Sequence, residues 1–184
     1  MNQWNFFREA LRSFRSTGAI ASASPALTRR LVEDIPGHRP LRVVELGPGN
    51  GCVTRALLER LSDDSELTAF EINPVFTERL RANADPRLRV IGEGAERLTD
   101  YFEDKSVDFV VSSLPLSMIP KEVKVEIIGR AQQVLRADGH FLQYQYALQD
   151  YGLLKDYFPA VRLGFTLVNL PPAFVYTCSL GALV

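Results

Sequence analysis

Val43-Val44-Glu45-Leu46-Gly47-Pro48-Gly49-Asn50-Gly51 decides the fold of this chain. An apolar strand ends on an acidic residue and runs into a loop with three glycines in five positions, after which Arg55, Ala56, Leu57 and Leu58 favour a helix. Glycine at that density lets the backbone turn sharply and leaves room for a ligand at close range. A dinucleotide fingerprint wants its third glycine three positions after the second. Cys52 stands there and the glycine comes early, at Gly51, which disfavours nicotinamide binding.

Spelled Glu-x-Gly-x-Gly-x-Gly, the segment resembles the first motif of class I methyltransferases that use S-adenosylmethionine and release S-adenosylhomocysteine. The resemblance implies donor contacts from Glu45, Gly47, Pro48, Gly49 and Gly51. The charge logic agrees: a zwitterionic methionine tail needs an acidic group near its ammonium and backbone N–H groups near its carboxylate, whereas Glu45 repels a pyrophosphate.

The 184 residues suit one α/β domain, with 46% hydrophobic and 23% charged residues. The expected division is a helical, basic arm over 1–36 and a catalytic domain over 37–184. No apolar run reaches the roughly 20 residues of a membrane span, and no signal peptide is visible, so the expected location is cytoplasmic or peripheral on the inner face of the membrane. Cys52 and Cys178 form no metal-spaced pair and only two histidines are present, so no metal is expected and both cysteines read as reduced core residues. The formal net charge of −1 suggests no nucleic-acid partner, yet residues 1–40 carry six arginines against three acids.

Strand and helix alternate along the rest, as in a doubly wound, Rossmann-like sheet. Strands are predicted at Leu41–Leu46, Leu67–Glu71, Leu88–Ile91, Val107–Ser112, Phe141–Leu148, Arg162–Leu167 and Phe174–Leu180. Helices are predicted from Pro25 with Ser24 as cap, over Cys52–Leu61, from Pro74 to about Asn83, and over Lys121–Leu135 with a stop at Asp138-Gly139. Tyr151–Phe158 has room for a turn or two. The seven-stranded sheet is expected to be mostly parallel. Asn169-Leu170-Pro171-Pro172 is too short for a crossover helix, so the last strand should run antiparallel.

Glu71 closes strand two about 20 residues after the glycine loop, where an acid in this fold accepts hydrogen bonds from ribose hydroxyls. Ile72 follows it at the same rim; a solvated strand-end acid is the alternative. After strand three, Gly92-Glu93-Gly94-Ala95-Glu96 offers two registers for adenine, the Glu93 carboxylate or the backbone around Gly94 and Ala95. Strand four ends Ser112-Ser113-Leu114-Pro115-Leu116. Adenine N-methyltransferases resemble Asn-(Leu or Pro)-Pro-(Tyr or Phe) here, an amide for the amine and a ring for the flipped base. Ser113 and Leu116 lack both groups.

Arg12-Ser13-Phe14-Arg15-Ser16-Thr17-Gly18-Ala19-Ile20, the first motif, Ser113-Leu114-Pro115-Leu116, Gln143-Tyr144-Gln145-Tyr146 and Asn169-Leu170-Pro171-Pro172-Ala173 together resemble the bacterial phospholipid N-methyltransferases, which methylate phosphatidylethanolamine. The resemblance implies a phospholipid amine acceptor, donor contacts that include Ser112 and Thr17, and Ser113, Tyr144 and Tyr146 near the transferred methyl. The chain departs from that family where Gly is usual at Ser113, Pro near Ala21–Ser24, and Gly-Asp at Glu93-Gly94.

On a helix from Asn2, Trp4, Phe7, Leu11 and Phe14 share one face beside Arg8, Arg12 and Arg15. That pattern suits an anionic membrane surface, a lid, or a helix docked on its own domain. Methyl transfer itself asks for positioning and exclusion of water more than for acid–base groups. A primary amine must first lose a proton, and aromatic faces can hold the methylated cation. Tyr144 and Tyr146 share a strand face by period two, either towards the pocket or towards the opposite layer. His38 and His140 fall at the wrong end of the sheet for a base. A soluble small amine and a non-catalytic donor-binding module are the competing functional readings.

Overall fold

A computed structural model describes residues 23–167 and 169–181, so the first 22 residues of the arm, with Trp4, Phe7, Leu11, Phe14, Arg8, Arg12, Arg15 and Thr17, lie outside the described residues. The chain enters at α1 (Pro25–Val32). Ser24 caps it, its hydroxyl accepting from the Leu27 N–H at 3.2 Å, with proline at the first helical position. Leu27 and Leu31 leave solvent, as does Ile35 just beyond, each burial stabilising by about 1.5–3 kcal/mol.

The other elements are β1 (Arg42–Leu46), α2 (Cys52–Arg60), β2 (Glu66–Phe70), α3 (Pro74–Arg81), β3 (Leu88–Ile91), β4 (Val107–Ser112), α4 (Lys121–Val134), β5 (Leu135–Gln145), α5 (Tyr151–Tyr157), β6 (Ala160–Thr166) and β7 (Ala173–Ser179). Two 3₁₀ turns, Ala95–Asp100 and Leu116–Met118, were not legible in the apolar periodicity. The sheet order is β3-β2-β1-β4-β5-β7-β6. β1 to β5 pair in parallel, and β7 runs antiparallel to both β5 and β6, as the short β6–β7 connection requires.

Successive residues of each central strand feed opposite layers. Val43, Phe109, Val111 and Leu142 join α1 and α2 in one core. Val44, Leu46, Val110 and Phe141 join α4, α5 and the turn at Ala95 in the other. Strand order reverses between β1 and β4, so the connections that leave their carboxyl ends turn to opposite sides of the sheet beside the glycine loop, the place where such sheets bind ligands.

β5 departs from its predicted span. The helix stops at Val134 rather than at Asp138-Gly139, because Leu135 turns extended and pairs with Val107 while its N–H still bonds Ala131. The register then shifts before Phe109 pairs with His140. A side chain at Gly139 would sit 3.0 Å from the Asp108 carbonyl, so the glycine serves a close strand approach, not a helix stop. At its far end β5 finishes at Gln145, and Tyr146, Ala147 and Leu148 lie outside the ladder. Tyr151–Tyr157 forms a true α-helix. Both cysteines are free; Cys178 is buried, which pushes its thiol up to about 12, while Cys52 is only half-buried.

The amino edge is closed by charge. Asp108 accepts from the Arg42 N–H at 2.8 Å and from Arg136 at 2.8 Å, with Arg39 at 3.4 Å. His140 stacks on Phe109 there, rings 5.4 Å apart, and burial holds its imidazole below the ordinary value. The unfolded chain therefore binds a proton near pH 6.5 that the folded chain refuses. This contribution to stability is complete above about pH 6.5 and is lost as pH falls through that value towards the folded one. Thermal unfolding followed across that window should show a midpoint that drops on acidification, and His140→Phe should flatten that part of the profile.

Candidate active site

The carboxyl edge is built from the loops after β1, β2, β3, β4 and β5. Gly47, Gly49 and Gly51 all take positive φ, at 69°, 57° and 80°, a region other residues enter only with strain. Gly51 is also crowded: a Cβ there would approach Leu80 of α3 to 3.1 Å. The loop hands the chain to α2 through Gly51, which has no side chain to cap it; the Asn50 side chain accepts from the Cys52 N–H at 3.3 Å, and the positive end of the helix dipole faces the loop.

Two buried carboxylates brace this loop. Glu45, at 0% exposure, accepts from the Thr54 hydroxyl of α2 at 2.6 Å. Glu71 is buried as well, and its two oxygens accept from the Gly49 N–H and the Asn73 N–H, both at 2.9 Å. It is not a solvated strand-end acid. Asn73 then caps α3 through the Val75 N–H at 3.0 Å, and Thr77 returns a hydroxyl to the Glu71 carbonyl at 2.9 Å. Ile72, half-buried beside Glu71, packs on the α4-side core.

After β3 the two acids separate. Glu93 accepts from Arg97 at 3.2 Å and from the Tyr101 hydroxyl at 3.0 Å, so its carboxylate is engaged at the surface. Gly94 and Ala95 are buried, and the carboxylate of Glu96 folds back over Gly94 so closely that a Cβ there would lie 2.0 Å from it. Glu96 is the buried acid of this loop. Nothing in the local sequence pattern tells which of these two acids, three residues apart, turns inward.

Ser113 extends the β4 edge, its N–H bonding the Leu46 carbonyl at 2.9 Å, and the Ser112 hydroxyl accepts from the Leu114 N–H at 3.3 Å. Leu116 is fully buried in the α4-side core. Across on β5, Gln143 and Gln145 both send amide N–H groups to the Leu114 carbonyl, at 3.0 and 3.1 Å, filling that acceptor. Gln143 also donates to the Tyr144 carbonyl at 2.8 Å. Two carbonyl partners fix the orientation of its amide and leave its own oxygen buried without a partner.

Tyr144 and Tyr146 take the opposite face, towards α1 and α2, with rings edge-to-face at 6.0 Å. The Tyr146 hydroxyl is buried, which raises its phenol above the ordinary value; the Asn169 side chain pulls it partway back. Asn169, from the β6–β7 connection, accepts from the Ser24 N–H at 3.0 Å and donates to the Pro171 carbonyl at 2.7 Å. It thereby ties the start of α1 to the hairpin over a separation of 145 residues. On the α4 side, Lys124 and Asp150 form a buried ion pair at 2.5 Å, and Tyr176 donates to the Ala147 carbonyl at 3.2 Å. Burial, with Asp150 nearby, pushes the Tyr176 phenol up to about 12. No periodicity or spacing marks this pair in the sequence. Among the described residues no group of His, Cys, Asp and Glu is arranged to hold a metal ion.

The geometry agrees with what comparison finds. A family model described as a methyltransferase domain matches residues 43–139. The ornithine lipid N-methyltransferase of Singulisphaera acidiphila is 34% identical over 183 residues, covering 95% of each chain. The ribosomal RNA small subunit methyltransferase A of Bordetella pertussis is 32% identical over 117 residues, 64% of this chain and 42% of that one. The fold is shared with the 1,6-didemethyltoxoflavin-N1-methyltransferase of Burkholderia thailandensis, solved with S-adenosylhomocysteine bound, at TM-score 0.70 and 18% identity over 94% of this chain and 86% of that one. A domain match across more than half the chain and a lipid N-methyltransferase alike over nearly its whole length show that this protein belongs to the class I S-adenosylmethionine-dependent methyltransferases.

Proposed function

We propose that the protein methylates the primary amine of a lipid headgroup, of the phosphatidylethanolamine type, at a membrane surface. The observation that carries this reading is the 34% identity with a lipid N-methyltransferase over 95% of both chains. The ribosomal relatives argue for it less well: this chain spans under half of the Bordetella protein, and Ser113 and Leu116 stand where a base-methylating site needs an amide and an aromatic ring.

S-adenosylmethionine supplies an electrophilic methyl group on a sulfonium. The glycine loop and Glu45 suit its methionine end: Gly47, Pro48, Gly49 and Gly51 bring backbone close, the amino end of α2 faces a carboxylate, and Glu45 gives the ammonium a counter-charge. Glu71 and Ile72 border the ribose. Each carboxylate oxygen of Glu71 has a second lone pair beyond the one given to the loop, so bracing and ribose binding are compatible. Gly94 and Ala95 frame the adenine, with Glu96 the inward acid and Glu93 at the rim. Ser112 and Thr17 complete the donor contacts of this reading.

On the acceptor side, Ser113, Tyr144 and Tyr146 hold the amine and shield it from water. Tyr146, with its phenol raised, stays neutral near pH 8, so it offers a hydroxyl and a ring face rather than a base. The arm over 1–36 orders the approach to the domain over 37–184, and no metal or nucleic acid takes part.

Labelled S-adenosylmethionine incubated with a total lipid extract, phosphatidylethanolamine, an ornithine lipid and free ornithine separates the readings. Label should enter an amine lipid; label in the soluble amine alone would assign the site to small molecules, with the arm as lid. Glu71→Ala should weaken S-adenosylhomocysteine binding by about 1.5–3 kcal/mol in calorimetry, and an unchanged affinity would leave Glu71 a loop brace alone. Tyr146→Phe should retain successive methylations that Tyr146→Ala loses, measured as the ratio of mono- to higher-methylated product.

A further inference from the structure

The β6–β7 connection, Leu167–Pro172, projects from the carboxyl edge of the sheet, because β6 runs parallel to β5 and both end there. Around the buried Asn169, its Leu167, Leu170, Pro171 and Pro172 are open to solvent. Leu170 is 90% exposed, Leu167 74% and Phe165, at the end of β6, 52%. The same edge carries Leu148 after β5, Met118 after β4 and Val75 after β2, also exposed. Of the large apolar side chains exposed among the described residues, Leu163 alone lies away from this edge, in the middle of its strand. Exposed apolar residues scattered singly need no explanation, but a row along the mouth of an active site does.

We propose that this hairpin, with Leu148 beside it, is a membrane-docking element that seats the active-site edge on the bilayer interface. The proposal rests on the lipid-acceptor reading and says how the acceptor is reached: the headgroup is methylated without leaving the membrane. Three features favour a bilayer over a protein partner. From Leu163 to Gly181 the chain has no charged residue, so no ionised group enters the interface. The tip also carries little polarity to dehydrate: Pro171 and Pro172 have no N–H, and the Asn169 amide is buried and already bonded through both its oxygen and its nitrogen. A protein contact needs about one hydrogen bond per 100–200 Å², for which this tip offers few groups. Finally, the described chain begins at Ala23, one residue before Ser24, whose N–H is bonded to the Asn169 side chain of this hairpin, so the sequence that carries Trp4, Phe7, Leu11 and Phe14 is continuous with a residue tied to it.

The test uses the full chain and phosphatidylcholine vesicles with and without phosphatidylglycerol, read by co-sedimentation. At high salt, where attraction between the arm's arginines and anionic lipid is screened, binding should persist. Leu167→Gln with Leu170→Gln should weaken it by about tenfold per leucine, while Leu163→Gln changes little. S-adenosylhomocysteine binding should be unchanged in all three, and in the double variant KM for vesicle-borne lipid should rise while turnover on detergent-dispersed lipid is kept. Unchanged vesicle affinity in the double variant overturns the proposal. So does a double variant that loses self-association, which would make the patch a contact between two copies, or one that loses only thermal stability, which would make it a seat for the arm. Lipid methylation that proceeds without hairpin dependence leaves the acceptor assignment standing. Hairpin-dependent binding without any lipid methylation sinks the assignment and leaves the docking surface.

Discussion

The Glu71 carboxylate holds the site together. It takes the Gly49 N–H on one oxygen and the Asn73 N–H on the other, joining the loop after β1 to the start of α3. A buried carboxylate without partners costs several kcal/mol, so its two backbone donors are obligatory companions. A loop with three left-handed glycines has weak conformational preferences of its own. The charge-assisted bond to Gly49 selects one shape from many, and Glu45 with Thr54 fixes the helix that follows.

The two edges of the sheet are treated in opposite ways. At the amino edge, Asp108 gathers Arg136, Arg39 and the Arg42 N–H, and His140 lies flat on Phe109 with its Nδ1 buried and without a partner. At the carboxyl edge polar groups are buried but only partly satisfied, as with the Gln143 oxygen and the Tyr146 hydroxyl. Unpaired buried polar groups oppose folding, and those at the carboxyl edge lie where a site trades stability for ligand contacts.

β5 shows how one strand serves both sides of that site. Its period of two sends Gln143 and Gln145 to the Leu114 carbonyl and Tyr144 and Tyr146 towards α1. The glutamines hold the β4 loop in place, and the tyrosines turn aromatic surface to the corner where Asn169 meets Ser24.

The sequence by itself determined the strand directions and the glycine loop. Apolar strands buried on both faces, Ser24-Pro25 and Asn73-Pro74 at helix starts, and the glycines at 47, 49 and 51 are local signals, governed by backbone sterics and short-range hydrogen bonds, and the folded chain keeps them. The β5 boundary misled because Asp138-Gly139 reads as a helix stop in isolation, whereas pairing of Leu135 with Val107 draws the chain into the sheet earlier. Tertiary structure alone decided which face Tyr144 and Tyr146 take, that Glu96 and not Glu93 is the buried acid, and that Lys124 meets Asp150 and Asn169 meets Ser24. Those choices depend on desolvation and on contacts between residues far apart in the chain, and neither leaves a periodic trace in the order of amino acids.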